Sequence, residues 1–304
     1  MALPTASLTP GHDDADWPLT RRLIWFSLAW FYVVMNSTSE IVMTGIMLVT
    51  RSAHRPPGQW AYYLSESIGE LALVLVAMLL IGTSGAQEVQ RAVSWCRPRY
   101  LALGALFAFG VSAFISTGQY VFDRVDWAAH SFGMIDPPQF SAYFHIPRVI
   151  LLWLFFAALG EEIIFRGLLQ PRFIGRYGLY RGLFLVGIVW AASHFFSDFS
   201  HVSGVQQVLL KMGFRFADCV AFTFVLGWLT LRSGSVFPAA IAHTVSNIFA
   251  YSPLGPSFQW NYLVTIALWA VLAYALFRYW PVESNPAESG ADVALIDQPQ
   301  LEPE

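Results

Sequence analysis

Several ionisable side chains of this sequence fall inside apolar stretches: Glu40, Glu66, Glu70, Glu161, Glu162, Arg166, His194, Asp218 and His243. A charge at the centre of a bilayer costs at least about 2.5 kcal/mol on insertion scales, so such groups are candidates for function and face a cavity or a partner. The densest group is Glu161-Glu162-Ile163-Ile164-Phe165-Arg166-Gly167. Residues four apart share a helix face, which predicts an ion pair between Glu162 and Arg166. Glu161 is turned by about 100 degrees, away from Arg166. It is the freer carboxylate, available as a general base. The competing reading is a purely structural ion pair at the membrane boundary.

His194 closes Trp190-Ala191-Ala192-Ser193-His194, and His243 and Asn247 stand four apart in His243-Thr244-Val245-Ser246-Asn247. A helix face carrying His and Asn offers two hydrogen-bond donors to a developing oxyanion. Bonding between helices is the plainer use of the same pair. At about 1.5 Å rise per residue, Glu161 lies about 14 Å inside a helix end near Gln170, His194 about 18 Å from a start near Gly182, and His243 about 11 Å from a start near Val236. Arg172, Arg181 and Arg232 anchor these ends at one membrane face. One carboxylate, two imidazoles and an amide at one depth make a candidate hydrolytic site, reached by water from that face. His194, Asp198 and His201 have the i, i+4, i+7 spacing of a metal face, but Ser197, Ser200, Ser203 and Gly204 predict that the helix ends around there. Asp218, close to Lys211 and Arg215, is expected to pair locally or to face water. Glu40 and Glu70 are expected to bond across helices or to line the cavity, and the sequence assigns Glu66 no role.

These groups must be positioned by a chain of 304 residues that is 56% hydrophobic and 12% charged, with a mean hydropathy of +0.52. Soluble domains carry about 25% charged residues, so the composition argues against a soluble globular protein and against a disordered one. A net charge of -3, with Lys211 as the single lysine, leaves no basic surface for nucleic acid. Cys96 and Cys219 form no C-x-x-C and read as buried, idle thiols.

A membrane crossing takes about 20 apolar residues. The first such stretch, 23–49, follows Arg21-Arg22; it is too long for a signal-peptide core and reads as a retained anchor. Others run at about 61–82, 101–119, 147–170, 182–197, 214–231, 236–251 and 261–280. With eight crossings and a cytoplasmic N-terminus, ten basic residues lie inside and six outside; this favours both termini in the cytoplasm. The expected fold class is therefore all-α: a polytopic membrane helix bundle of about eight transmembrane helices with a polar intramembrane cavity. Residues 1–20 form a polar tail and 21–146 the N-terminal transmembrane helices with their loops. Residues 147–252 carry the motifs, 253–280 the last transmembrane helix, and 281–304 an acidic tail whose composition predicts disorder.

Glu-Glu-x-x-x-Arg, then an aromatic-x-x-x-His, then His-x-x-x-Asn, in that order and in membrane segments, resembles the CPBP family. These are the CAAX-type proteases and bacteriocin-processing enzymes, also called ABI or type II CAAX prenyl endopeptidases. The stretches from Gly160 to Gln170 and from Phe237 to Asn247 carry most of the likeness, which covers roughly residues 147–252. One departure is visible: Trp190 stands where the family usually has Phe. The resemblance implies an intramembrane endopeptidase working near the cytoplasmic face. Glu161 and His194 would activate the attacking water, His243 and Asn247 would stabilise the oxyanion, and Glu162 and Arg166 would hold the site together.

The family is often labelled metalloprotease, though a metal-free glutamate mechanism is also argued for it. Zinc takes three or four ligands, which Glu161, His194 and His243 could supply; no H-E-x-x-H occurs here, and the reading leans towards no tightly bound metal. The implied partners are a peptide or protein substrate, arriving from the membrane or the cytoplasmic face, and the lipid bilayer. Two other functions compete. Glu40, Glu66, Glu70 and the Glu161-Glu162 pair could form the acidic relay of a proton-coupled transporter, or the same fold could serve as a non-catalytic scaffold or immunity protein.

Overall fold

The computed structural model describes residues 17–33, 59–126, 131–132, 148–195, 204–250 and 259–282. Long apolar runs without interior proline leave the helix as the conformation that satisfies every backbone group away from water. The helices are α1 (Trp17–Val33), α2 (Gln59–Ile81), α3 (Gly85–Ala92), α4 (Pro98–Arg124), α5 (Arg148–Glu162), α6 (Gln170–Tyr177), α7 (Leu179–Ser193), α8 (Val205–Ser233), α9 (Phe237–Ala250) and α10 (Gln259–Tyr279). A single 3-10 turn, Gly82–Ser84, joins α2 to α3. Pro98 opens α4, where its missing N–H leaves no helical bond unmade. Among the described residues the one strand pairing is a two-residue antiparallel ladder, with Val125 opposite Phe132 and Asp126 opposite Ser131.

Between α5 and α6 the chain does not break. It opens into a π-helix over Ile163–Leu169, and the Gln170 N–H reaches back to the Phe165 carbonyl, five residues away. The helical path that was expected to end near Gln170 therefore runs on to Tyr177. It ends at Gly178, whose φ of 78° is open to glycine at little cost, and whose N–H caps the Ile174 carbonyl. From there α7 turns back along α6. Other ends also differ from expectation: α7 begins at Leu179 and stops at Ser193, and α8 begins at Val205, well before the expected 214. Loop composition marks where a chain can leave a helix. It does not mark the first residue that gains more from packing than from leaving.

α5 packs along α2 and against α9, α8 lies against α7 and α10, and α9 also lies against α4. The π-helix sits among them, with Phe165, Leu168 and Leu169 fully buried. Among the described residues two helical stretches, Pro98–Gly118 of α4 and Tyr262–Tyr279 of α10, are long and apolar enough to cross a membrane. Only 28% and 17% of these stretches is buried within the protein. The central helix of a soluble domain would be covered on most sides. Here Leu106, Phe114 and Val271 turn more than 60% of their surface outward, the pattern of a helix that is apolar on both its inner and its outer face. The expected stretch 23–49 is described only as far as Val33, and Glu40 and both chain ends lie outside the described residues.

Candidate active site

Four elements meet at the acidic motif: the end of α5 with its π-helical continuation, the last turn of α7, the middle of α8, and α9. Glu161 is 7% exposed, Glu162 not at all, Arg166 1% and His243 4%. Charges this deep must be matched by partners, because removing water from each costs several kcal/mol.

The two adjacent carboxylates are matched differently. Glu162 accepts from Arg166 Nη1 at 3.2 Å, and Arg166 Nε stands 3.2 Å from its other oxygen. The ion pair expected from the four-residue spacing is therefore present, and it survives the widening of the helix into a π-turn. Glu162 Oε1 also lies 2.9 Å from His243 Nδ1. A carboxylate can only accept, so this bond places a proton on Nδ1. The remaining reach of Arg166 goes to the Thr223 hydroxyl of α8, at 3.0 Å. Glu162 is thus bound by two positively charged or protonated groups from two directions.

Glu161 meets a different donor. Its Oε2 accepts the indole N–H of Trp190 at 2.7 Å. Spacing alone turned Glu161 away from Arg166, and it does not join the ion pair. The two groups are nonetheless neighbours through one ring, since the Arg166 guanidinium lies 4.2 Å from the centroid of the same indole. The other ring contacts are edge-to-face, with His243 at 5.3 Å and His194 at 5.8 Å. Trp190 is the common wall of the site. From sequence it was only an aromatic in a motif, and the signal that could have found it is the indole itself, a buried donor that must be satisfied.

His194 sits just past the last residue of α7, as its cap rather than inside a span. Its Nδ1 lies 3.0 Å from the Trp190 carbonyl, which can only accept, so Nδ1 carries the proton and Nε2 is the ring's acceptor. α7 ends at Ser193, before Ser197, the first of the residues expected to close it. Asp198 and His201, which share an i, i+4, i+7 spacing with His194, lie outside the described residues. Asn247 follows His243 by one turn of α9 and is half-buried. What joins it to the cluster is the shared helix face.

The ligand set considered for zinc does not close. Among the described residues no three His, Cys, Asp or Glu side chains are grouped to hold one ion. Of the other acidic residues, Glu70 of α2 is 1% exposed and lies directly behind the motif. The side chain of Glu66 is outside the described residues. Asp218 lines a cavity of about 280 Å³ together with Lys211 and Arg215, near Tyr262 and away from the acidic motif. Cys96, between α3 and α4, is free and buried, and burial pushes its thiol up from the ordinary value, as expected of an idle cysteine.

The contact between Glu70 and the motif yields a first prediction. A Cβ on Gly160 would lie 2.5 Å from Glu70 Cβ and 3.0 Å from its carbonyl carbon. A helix backbone cannot yield by that much, so Gly160→Ala is expected to destabilise the protein by about 1–3 kcal/mol. Gly110, with nothing within 4 Å of its would-be Cβ, is the control. Gly110→Ala should leave stability unchanged or raise it by up to about 1 kcal/mol through helix propensity. Thermal unfolding of both variants in one detergent decides; equal midpoints would show that α2 and α5 do not approach this closely.

Residues 144–249 match the family model described as type II CAAX prenyl endopeptidase Rce1-like. The matched stretch is about a third of the chain and contains every residue of the cluster on α5, α7, α8 and α9. The resemblance drawn from the three motifs is thus borne out over this stretch, and the family it points to is one of CAAX-type membrane peptidases. A comparison with curated proteins returned no match.

Proposed function

We propose that this chain, whose residues 144–249 are Rce1-like, is an intramembrane endopeptidase. It hydrolyses a peptide bond in a membrane-associated, lipidated or leader peptide. The observation that carries the reading is the unequal treatment of two adjacent buried carboxylates. Glu162 is committed to Arg166 and His243, whereas Glu161 receives one neutral donor. The first arrangement holds helices together; the second leaves a carboxylate oxygen for a water molecule.

In this mechanism Glu161 and the Nε2 of His194 draw a proton from water as its oxygen attacks the scissile carbonyl. The carbonyl oxygen becomes the oxyanion, met by His243 and Asn247, and the proton held by Glu161 passes to the leaving amine. With Nδ1–H directed to Glu162, His243 donates from Nε2 only when its ring is doubly protonated, so the oxyanion is met by an imidazolium. Glu162 and Arg166 position that ring. No three ligating side chains are grouped for a metal among the described residues, and no step runs through one. The site lies in an eight-span bundle with both termini in the cytoplasm, and the outward apolar faces of α4 and α10 support the membrane setting.

Proteolysis by the purified protein in detergent or liposomes tests this, with a panel of quenched peptides and membrane-tethered segments. Wild type should cleave at least one of them, and Glu161→Ala and His243→Ala should not. A chelator should leave the rate unchanged. Activity in both variants would refute the site. Cleavage of nothing would favour a second reading, a proton-coupled transporter, for which Glu70 packed against Gly160 supplies a further buried carboxylate; proton flux across the same liposomes would then be measured.

A further inference from the structure

We propose that Trp190 is the positioning residue that sets both water-activating groups, its indole N–H fixing Glu161 and its backbone carbonyl fixing His194. The proposal rests on the reading of Glu161 and His194 given above. The indole Nε1 is 2.7 Å from Glu161 Oε2, with Trp190 4% and Glu161 7% exposed. The Trp190 carbonyl accepts the His194 Nδ1–H at 3.0 Å and the Ser193 hydroxyl at 2.6 Å.

The indole cannot turn away. Phe165 and Phe222 stand 6.3 and 6.1 Å from its centroid, Arg166 lies over its face, and His243 approaches its edge. A terminal carboxylate torsion is broad and roughly two-fold, so a lone glutamate would sample orientations. A fixed donor on Oε2 selects one and leaves Oε1 to face the water. Phenylalanine keeps the ring and the backbone carbonyl but has no proton to give. The N–H therefore controls Glu161 alone, whereas the carbonyl contact to His194 is independent of side chain.

The test is steady-state cleavage of a quenched peptide that the wild type turns over, compared with Trp190→Phe and with a chain carrying 3-benzothienylalanine at position 190. The latter replaces the N–H by sulfur at nearly constant shape, so it reports even where the smaller ring of Phe fails to fold. Both are expected to lower kcat by about 10- to 100-fold, with KM within about twofold, as for a misplaced catalytic group. Unfolding of the thienyl chain should stay near wild type. Wild-type kcat in the thienyl chain, with Glu161→Gln inactive, overturns the positioning role and leaves the protease intact. A raised KM at unchanged kcat overturns it too, by making Trp190 a substrate contact. No turnover by wild type on any peptide of the panel overturns the protease reading, and this proposal with it.

Discussion

Replacing Glu161 by Gln is expected to lower peptide turnover by about 10²- to 10⁴-fold, the range over which a general base contributes, with little loss of stability. A glutamine is nearly isosteric, and its carbonyl oxygen can still accept the Trp190 N–H that Glu161 accepts at 2.7 Å. The ion pair beneath is not touched. The same substitution one residue later should behave in the opposite order. Glu162→Gln removes the charge facing Arg166 and His243, so the folded protein itself should suffer first. Initial rates and thermal unfolding, measured together on both variants, separate the two carboxylates. Glu40→Gln, at matched expression, should retain more activity than Glu161→Gln. Equal loss at positions 40 and 161 would count against Glu161 as the base.

The second large effect is expected from Arg166. Its ion pair with Glu162 has both side chains fully buried. Taking away one partner of a buried pair leaves an uncompensated charge and costs about 3–5 kcal/mol. Arg166→Met should therefore shift unfolding strongly. Arg166→Lys should not rescue it, because one ammonium cannot bond Glu162 and Thr223 while stacking on Trp190 as the planar guanidinium does. Removing both charges, as in Glu162→Met with Arg166→Met, should cost less than the sum of the single changes, since neither charge then remains alone. Unfolding of the four chains in detergent gives the coupling directly. Additive losses would mean that the two groups do not share their burial cost.

The local part of this site was legible in the order of residues. Glu162 and Arg166 are four apart, and a helix makes neighbours of such residues whether its turn is α or π. The same rule separated Glu161 from that pair. His243 and Asn247 share a face for the same reason, and the three motifs in order pointed to the family whose model matches residues 144–249. The helix ends were read less well. α5 was expected to stop near Gln170, and α7 to continue beyond His194. Ends are decided by which backbone groups find partners in neighbouring helices, and by a single glycine at position 178 that can turn the chain.

Spacing along one helix says which side chains point together. It says nothing about which face of another helix they meet. That His243 bonds the structural carboxylate, that Glu70 presses on Gly160, and that an indole from α7 supplies the proton donor to Glu161 are consequences of how four helices pack. Packing is set by the sizes of residues far apart in the chain, among them Gly160 and Thr223, and by the demand that each buried polar group find its own partner. The sequence by itself determined the chemistry available to the site and the helices that carry it. Only the tertiary structure decided that the freer carboxylate takes an indole N–H from α7 and that the paired one also holds His243 of α9.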